Sequence, residues 1–135
     1  MAWHYYSLDR EAQKLVLDAK IRDRNSLNQS FKMREAVAYG LERFWGEHLR
    51  LQIKEPAKSQ YWKETWDTLV KLMEHAKVPL PNDPVDANQT DTVKAMAEKL
   101  WHLTIEDQRV ALAVLAQLCD CLVWWTQRYK GASEE

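Results

Sequence analysis

Leu8, Ala12, Leu15, Val16 and Ala19 recur at three- and four-residue spacing, the periodicity of a helix that buries one face. Ser7 ahead of them is a residue type that caps helix starts, and Asn25-Ser26 interrupts the run. A second stripe, Leu27, Met33, Val37, Leu41, Phe44, Trp45 and Leu49, predicts a helix opened by a capping box of Ser26 and Gln29. It runs to about Lys54, where Glu55-Pro56 ends it. Gly40 and Gly46 each weaken this helix by roughly 1 kcal/mol relative to alanine, so it can bend or break there. Trp62, Trp66, Leu69, Val70, Met73 and Ala76 predict a third helix starting at Ser59. Pro79, Pro81 and Pro84 exclude helix from the next stretch. An extended, flexible surface connection is expected over about 78–90.

Val93, Met96, Ala97, Leu100 and Leu103 predict a fourth helix from Thr90 or Asp91. Thr104 with Asp107 opens a fifth, from about Ile105 to Tyr129, with Gly131 as a stop residue and 131–135 as a frayed tail. No stretch alternates as a strand does, and three glycines and four prolines are too few for the turns of a sandwich or barrel. The pattern predicts an all-α, single-domain bundle of about five helices spanning residues 1–135.

The fifth helix carries the widest apolar arc. At about 100° per residue, Val110, Ala111, Val114, Leu115, Leu118, Leu122, Trp125 and Tyr129 share one face. Glu106, Arg109, Ala113, Ala116, Gln117, Asp120, Trp124 and Gln127 take the opposite one. Such a helix belongs at the centre of a bundle. Trp124 and Trp125 cannot both face one stripe. Trp124, on the polar face, either covers a neighbouring helix or is a docking hot spot for a partner, flanked by Arg109, Asp120 and Gln127.

Charge adds one asymmetry. The net charge is −1, so no global field draws the chain to nucleic acid. Yet residues 1–54 hold ten Lys/Arg against seven Asp/Glu, while residues 55–135 hold nine against thirteen. Any anion-binding surface therefore belongs in the first half. On one continuous second helix Lys32, Tyr39, Arg43 and Arg50 fall within about 40° of arc along roughly 27 Å. Such a line can follow a phosphate backbone, with Tyr39 stacking on a base and Arg22 and Arg24 assisting. A solvated helix face with Glu35, Glu42 and Glu47 looks the same. Arg34, His48 and Gln52 fall inside the apolar stripe and are expected as partly buried hydrogen-bonding groups.

Cys119 and Cys121, two residues apart on a helix, point about 200° apart and cannot share a disulfide or a metal. They read as reduced core thiols, and the expected location is cytoplasmic. The N-terminus has no signal pattern, and no apolar run is expected to reach the ~20 residues of a membrane span.

Catalytic motifs are missing from the sequence. No glycine loop of a phosphate-cradling kind occurs, and His4, His48, His75 and His102 are scattered. Helical di-metal bundles need paired Glu-x-x-His motifs; Glu98 with His102 is one residue too far apart and occurs once. No enzyme activity, cofactor or metal is expected.

The stretch Leu103-Thr104-Ile105-Glu106-Asp107-Gln108-Arg109-Val110 leads into a helix closing with Val123-Trp124-Trp125-Thr126-Gln127-Arg128-Tyr129-Lys130. With the chain's length and helical plan, this resembles the small helical subunits of CRISPR effector complexes, especially type III. The likeness is to the plan of the whole chain and not to a diagnostic motif. It implies a non-catalytic bundle, copies of which stack along the guide–target duplex beside protein subunits and contact guide RNA or target through basic surfaces. The slight acidity of the chain departs from that pattern. The competing expectation is a protein-binding adaptor or regulator, able to self-associate, with no nucleic-acid role.

Overall fold

The structure is a computed structural model; it describes the backbone of residues 5–130 and the side chains of residues 7–130. Among these residues there are six α-helices and no strand. They are α1 Tyr5–Arg22, α2 Gln29–Ala36, α3 Leu41–Leu51, α4 Pro56–His75, α5 Thr90–Trp101 and α6 Ile105–Lys130, with 3₁₀ turns at Arg24–Asn28 and Val37–Tyr39. The expected tail at 131–135, the stop at Gly131, and His4 lie outside the described residues.

α6 is the central element. It packs along α1 and against α2 and α4, while α3 lies on α4 and α5 joins through α3. Its Ala111, Val114, Leu115, Leu118, Cys119 and Leu122 are buried in one core with Leu8, Val16, Met33, Phe44, Trp66 and Met96. Trp125 and Tyr129 are half-buried and stack on each other at 5.6 Å. Val110, placed by the helical wheel on the core face, is exposed. It sits near the start of α6, where no residue is fully buried before Ala111.

The single helix expected over 26–54 is two helices. Gly40 adopts φ 99° and ψ 174°, a region open essentially to glycine alone, and there the chain turns from α2 into α3. Gly46 lies inside α3 without a break. Ser26 does not cap a helix. It is buried and donates its hydroxyl to the carbonyl of Asp23 at 2.6 Å, while the Asp23 carboxylate accepts from the Asn25 amide. α-Helix begins only at Gln29. Ser7 and Ser59 are likewise inside helices. Pro56 starts α4 instead, where its fixed φ suits the first turn, and buried Ser59 donates to the His48 carbonyl at 2.6 Å, tying α4 to α3.

Buried polar groups fix how the helices meet. The Ser30 hydroxyl lies 2.5 Å from that of Tyr61 and 2.6 Å from that of Thr126, joining α2, α4 and α6. Burial pushes the Tyr61 phenol up to about 12, so it stays a hydrogen-bonding neutral group. Trp62 donates its indole N–H to Gln29 Oε1 at 2.8 Å. Such groups carry a cost when unpaired, so their pairing restricts the register of the three helices.

α4 ends with Lys77 at φ 62°. The Lys77 amide donates to Glu74 and the Val78 amide to Met73; a lysine therefore occupies the left-handed cap position that glycine usually takes. Beyond it the proline-rich connection is extended. Val78 and Leu80 reach the core, Lys63 donates to Asn82, Lys99 pairs with Asp83, and the Ala87 amide donates to Gln52.

α6 also departs from the expectation about apolar runs. It is 26 residues long and, by length and composition alone, apolar enough to cross a membrane. In this fold it is the core helix. Cys119 is buried, and burial pushes its thiol up; Cys121 is half-buried and pushed up to about 11, first by burial and then by Asp9. Both thiols are free and protonated at neutral pH.

Candidate nucleic-acid interface

A basic line along one helix required that helix to be continuous, and the turn at Gly40 divides it. Of the four residues expected on it only Tyr39 and Arg43 adjoin, and the assisting Arg22 and Arg24 lie apart from them. Arg22, in the last turn of α1, donates to Glu64 of α4 at 2.6 Å, and its side chain is only 22% exposed. It belongs to the α1–α4 seam. Arg24 is exposed on the first 3₁₀ turn. Arg50 is held by the Glu47 carboxylate one turn back. Lys32 is exposed on α2. It reaches the same neighbourhood as Arg50: the exposed Glu55 carboxyl is held below its usual value first by a hydrogen bond from Lys58, then by the charges of Lys32 and Arg50.

Tyr39 and Arg43 do come together. Tyr39 closes the second 3₁₀ turn, Gly40 redirects the chain, and Arg43 in the first turn of α3 lies over the Tyr39 ring, 5.1 Å from its centroid. Tyr39 is 68% exposed. Among the described residues neither Arg43 nor Lys32 has an ion-pair partner. Opposite this pair the fold brings Trp101, the last residue of α5 and 60% exposed, with Gln108 from α6. Together they line a groove of about 330 Å³ with Gly40, Leu41, Glu42 and Leu100. Gln108 donates its amide to the Leu103 carbonyl, which leaves its side-chain oxygen as an acceptor.

Sequence reasoning missed Trp101. Its signal was its omission from the stripe Val93, Met96, Ala97, Leu100: a tryptophan next to a core leucine on a helix points about 100° away from the core. Nothing in the sequence places it opposite Tyr39, sixty-two positions earlier.

A second exposed face lies on α6. Trp124 is 55% exposed, and Arg109 and Gln127 are exposed as well. Asp120 accepts from Arg34 of α2 at 2.6 Å. Arg34 was expected partly buried; instead it is exposed and bridges α2 to α6, because α2 lies against α6 with this side turned to solvent.

A cavity of about 390 Å³ lies under the proline-rich connection and is lined by His48, Gln52, Lys63 and Asp86 among others. Its His48 is buried and donates Nδ1–H to the Trp45 carbonyl at 2.5 Å. Burial lowers the His48 pKa from 6.5, with Lys63 lowering it further, against the opposing influence of the Trp45 carbonyl and Asp67. The unfolded chain therefore takes up this proton more readily. Stability contributed by neutral His48 is complete above pH 6.5 and is lost as pH falls toward the lower folded value, by at most about 1.4 kcal/mol per pH unit. Melting temperatures measured from pH 7.5 to 5 are expected to fall more steeply for the native chain than for His48→Gln; parallel curves would remove His48 as the cause.

Glu98 and His102 form an exposed local pair on α5, Nδ1 to carboxylate 3.7 Å. Among the described residues no three His, Cys, Asp or Glu side chains converge on a point where a metal could sit. No protein family, characterised protein or solved structure matches this chain.

Proposed function

We propose that this chain is a non-catalytic helical subunit of a ribonucleoprotein, binding nucleic acid through the Tyr39–Arg43 face and protein neighbours through the face bearing Trp124, Arg109, Asp120 and Gln127. The assembly in view is a CRISPR effector complex of the type III kind, in which copies stack along the guide–target duplex. One observation supports the nucleic-acid side: Arg43 is exposed, has no carboxylate partner among the described residues, and lies on an exposed tyrosine ring. A cation and an aromatic face side by side suit a phosphate and its sugar or base. Lys32 adds a second available charge. Arg22 and Arg50 add little, since Glu64 and Glu47 already neutralise them. The work done is positioning and charge neutralisation without sequence readout.

A salt titration tests this. Binding to an RNA–DNA or RNA–RNA duplex is expected to weaken steeply with salt, and Arg43→Ala and Lys32→Ala are each expected to reduce the log–log slope by about one. Arg22→Ala leaves the slope unchanged. Absence of binding at every salt concentration would overturn the reading in favour of a protein-only adaptor, which exposed Trp124 favours.

A further inference from the structure

We infer that the groove between Tyr39 and Trp101 seats an unpaired base of a single-stranded nucleic acid, with the base against the aromatic rings and its phosphate on Arg43. This deepens the nucleic-acid reading above and rests on it. Two stretches distant in sequence supply the groove: the second 3₁₀ turn with the start of α3, and the end of α5 with the start of α6. Each presents a large aromatic side chain that is more than half exposed. An exposed ring at the end of a helix is ordinary; two lining one groove with a guanidinium already lying on one of them are not explained by core packing.

The charge in the groove decides between a base and a bare phosphate backbone. Arg43 is the one cation among its lining residues, with Glu42 beside it. Glu42 is also turned back along α3, its Oε2 within 3.5 Å of where a side chain on Gly46 would begin. One cation neutralises one phosphate, so the aromatic faces must supply the rest of the affinity. Stacking on tyrosine or tryptophan needs an open base face, which bases inside a duplex do not offer, whereas a splayed or single-stranded base does. Arg43 over the Tyr39 ring, 5.1 Å from its centroid, places a cation beside the stacked base, where the adjoining phosphate can reach it. The Gln108 side-chain oxygen adds an acceptor for a base N–H.

The test uses the full chain with a ten-nucleotide oligo(rA), an abasic strand of the same length, and a duplex. Oligo(rA) is expected to bind about tenfold or more tighter than the abasic strand. Tyr39→Ala and Trp101→Ala are each expected to weaken oligo(rA) binding by about 5- to 150-fold, the range of one lost base–aromatic stack, while leaving abasic binding unchanged. Trp101→Phe retains a ring and most of the affinity, which separates stacking from a folding defect. Equal affinity for the abasic strand and oligo(rA), or equal losses on both strands in the variants, overturns the base seat. If salt-sensitive duplex binding then persists, only the base seat fails; if none of the three probes binds, the ribonucleoprotein reading fails with it.

Discussion

Trp66→Ala is expected to lower the free energy of unfolding by about 3–5 kcal/mol, the cost of removing a large aromatic from a closed core. Trp66 is fully buried on α4, among the largest such side chains in the protein. Domains of this size are stable by only about 5–15 kcal/mol in total, so this single change takes a large share. Trp66→Phe is expected to be much milder, because the Trp66 indole N–H is buried with no hydrogen-bond partner among the described residues. Phenylalanine loses packing area but also removes that unsatisfied donor. Trp62 is the matched control one turn earlier. It is as buried, packs on Phe44 at 4.9 Å, and its N–H is paired with Gln29, itself buried. Trp62→Phe strands the Gln29 oxygen, which costs about 1–3 kcal/mol more. Urea unfolding of the three variants reads these differences. A Trp66→Ala loss below about 1 kcal/mol, or Trp66→Phe proving costlier than Trp62→Phe, would show that the core is not packed as described.

The helices whose evidence is periodicity were legible. α1 buries Leu8, Ala12, Leu15, Val16 and Ala19, and α6 starts at Ile105 with the Thr104 hydroxyl accepting from the Asp107 amide. These signals are local and lie within one or two turns. Serine misled at Ser26 and Ser59 for one physical reason: its hydroxyl serves equally as a helix cap and as a donor to a backbone carbonyl. Ser26 donates to Asp23 and Ser59 to His48, and the choice between the two roles depends on what the fold brings near. Glycine was ambiguous in the same way, since Gly40 and Gly46 sit in equally apolar surroundings and only one ends a helix.

The candidate site's geometry was legible in part, and for an accidental reason. Tyr39 and Arg43 were set on one line with Lys32 and Arg50 of a continuous helix; these two adjoin in the structure although the helix stops between them, because the chain turns at Gly40. Arg22 was misjudged because its partner Glu64 lies forty-two positions away, beyond the range of any helical spacing. Trp101 faces the same limit. Spacing assigns a residue to a face of its own helix, but which faces confront each other is set by how α3, α5 and α6 pack.

The two glycines of this region give opposite expected results. Gly40→Ala places a Cβ on a residue at φ 99° and ψ 174°, a conformation that costs non-glycine residues about 1–3 kcal/mol. No atom lies within 4 Å of that Cβ, so the cost is backbone strain and not a clash. Gly46→Ala is expected to stabilise by about 0.5–1 kcal/mol, since Gly46 is helical and the new methyl meets only Glu42 Oε2, at an ordinary contact distance of 3.5 Å. Chemical denaturation separates the pair, and equal effects of the two changes would sink the view that Gly40 alone breaks the helix. The same strain reaches the interface. Relieving it means moving the turn that holds Tyr39 against Arg43, so Gly40→Ala should weaken oligo(rA) binding even where the protein is still folded. Gly46→Ala lies one turn inside α3 and should leave binding unchanged, so a binding defect confined to Gly40→Ala would tie the groove to the turn that builds it.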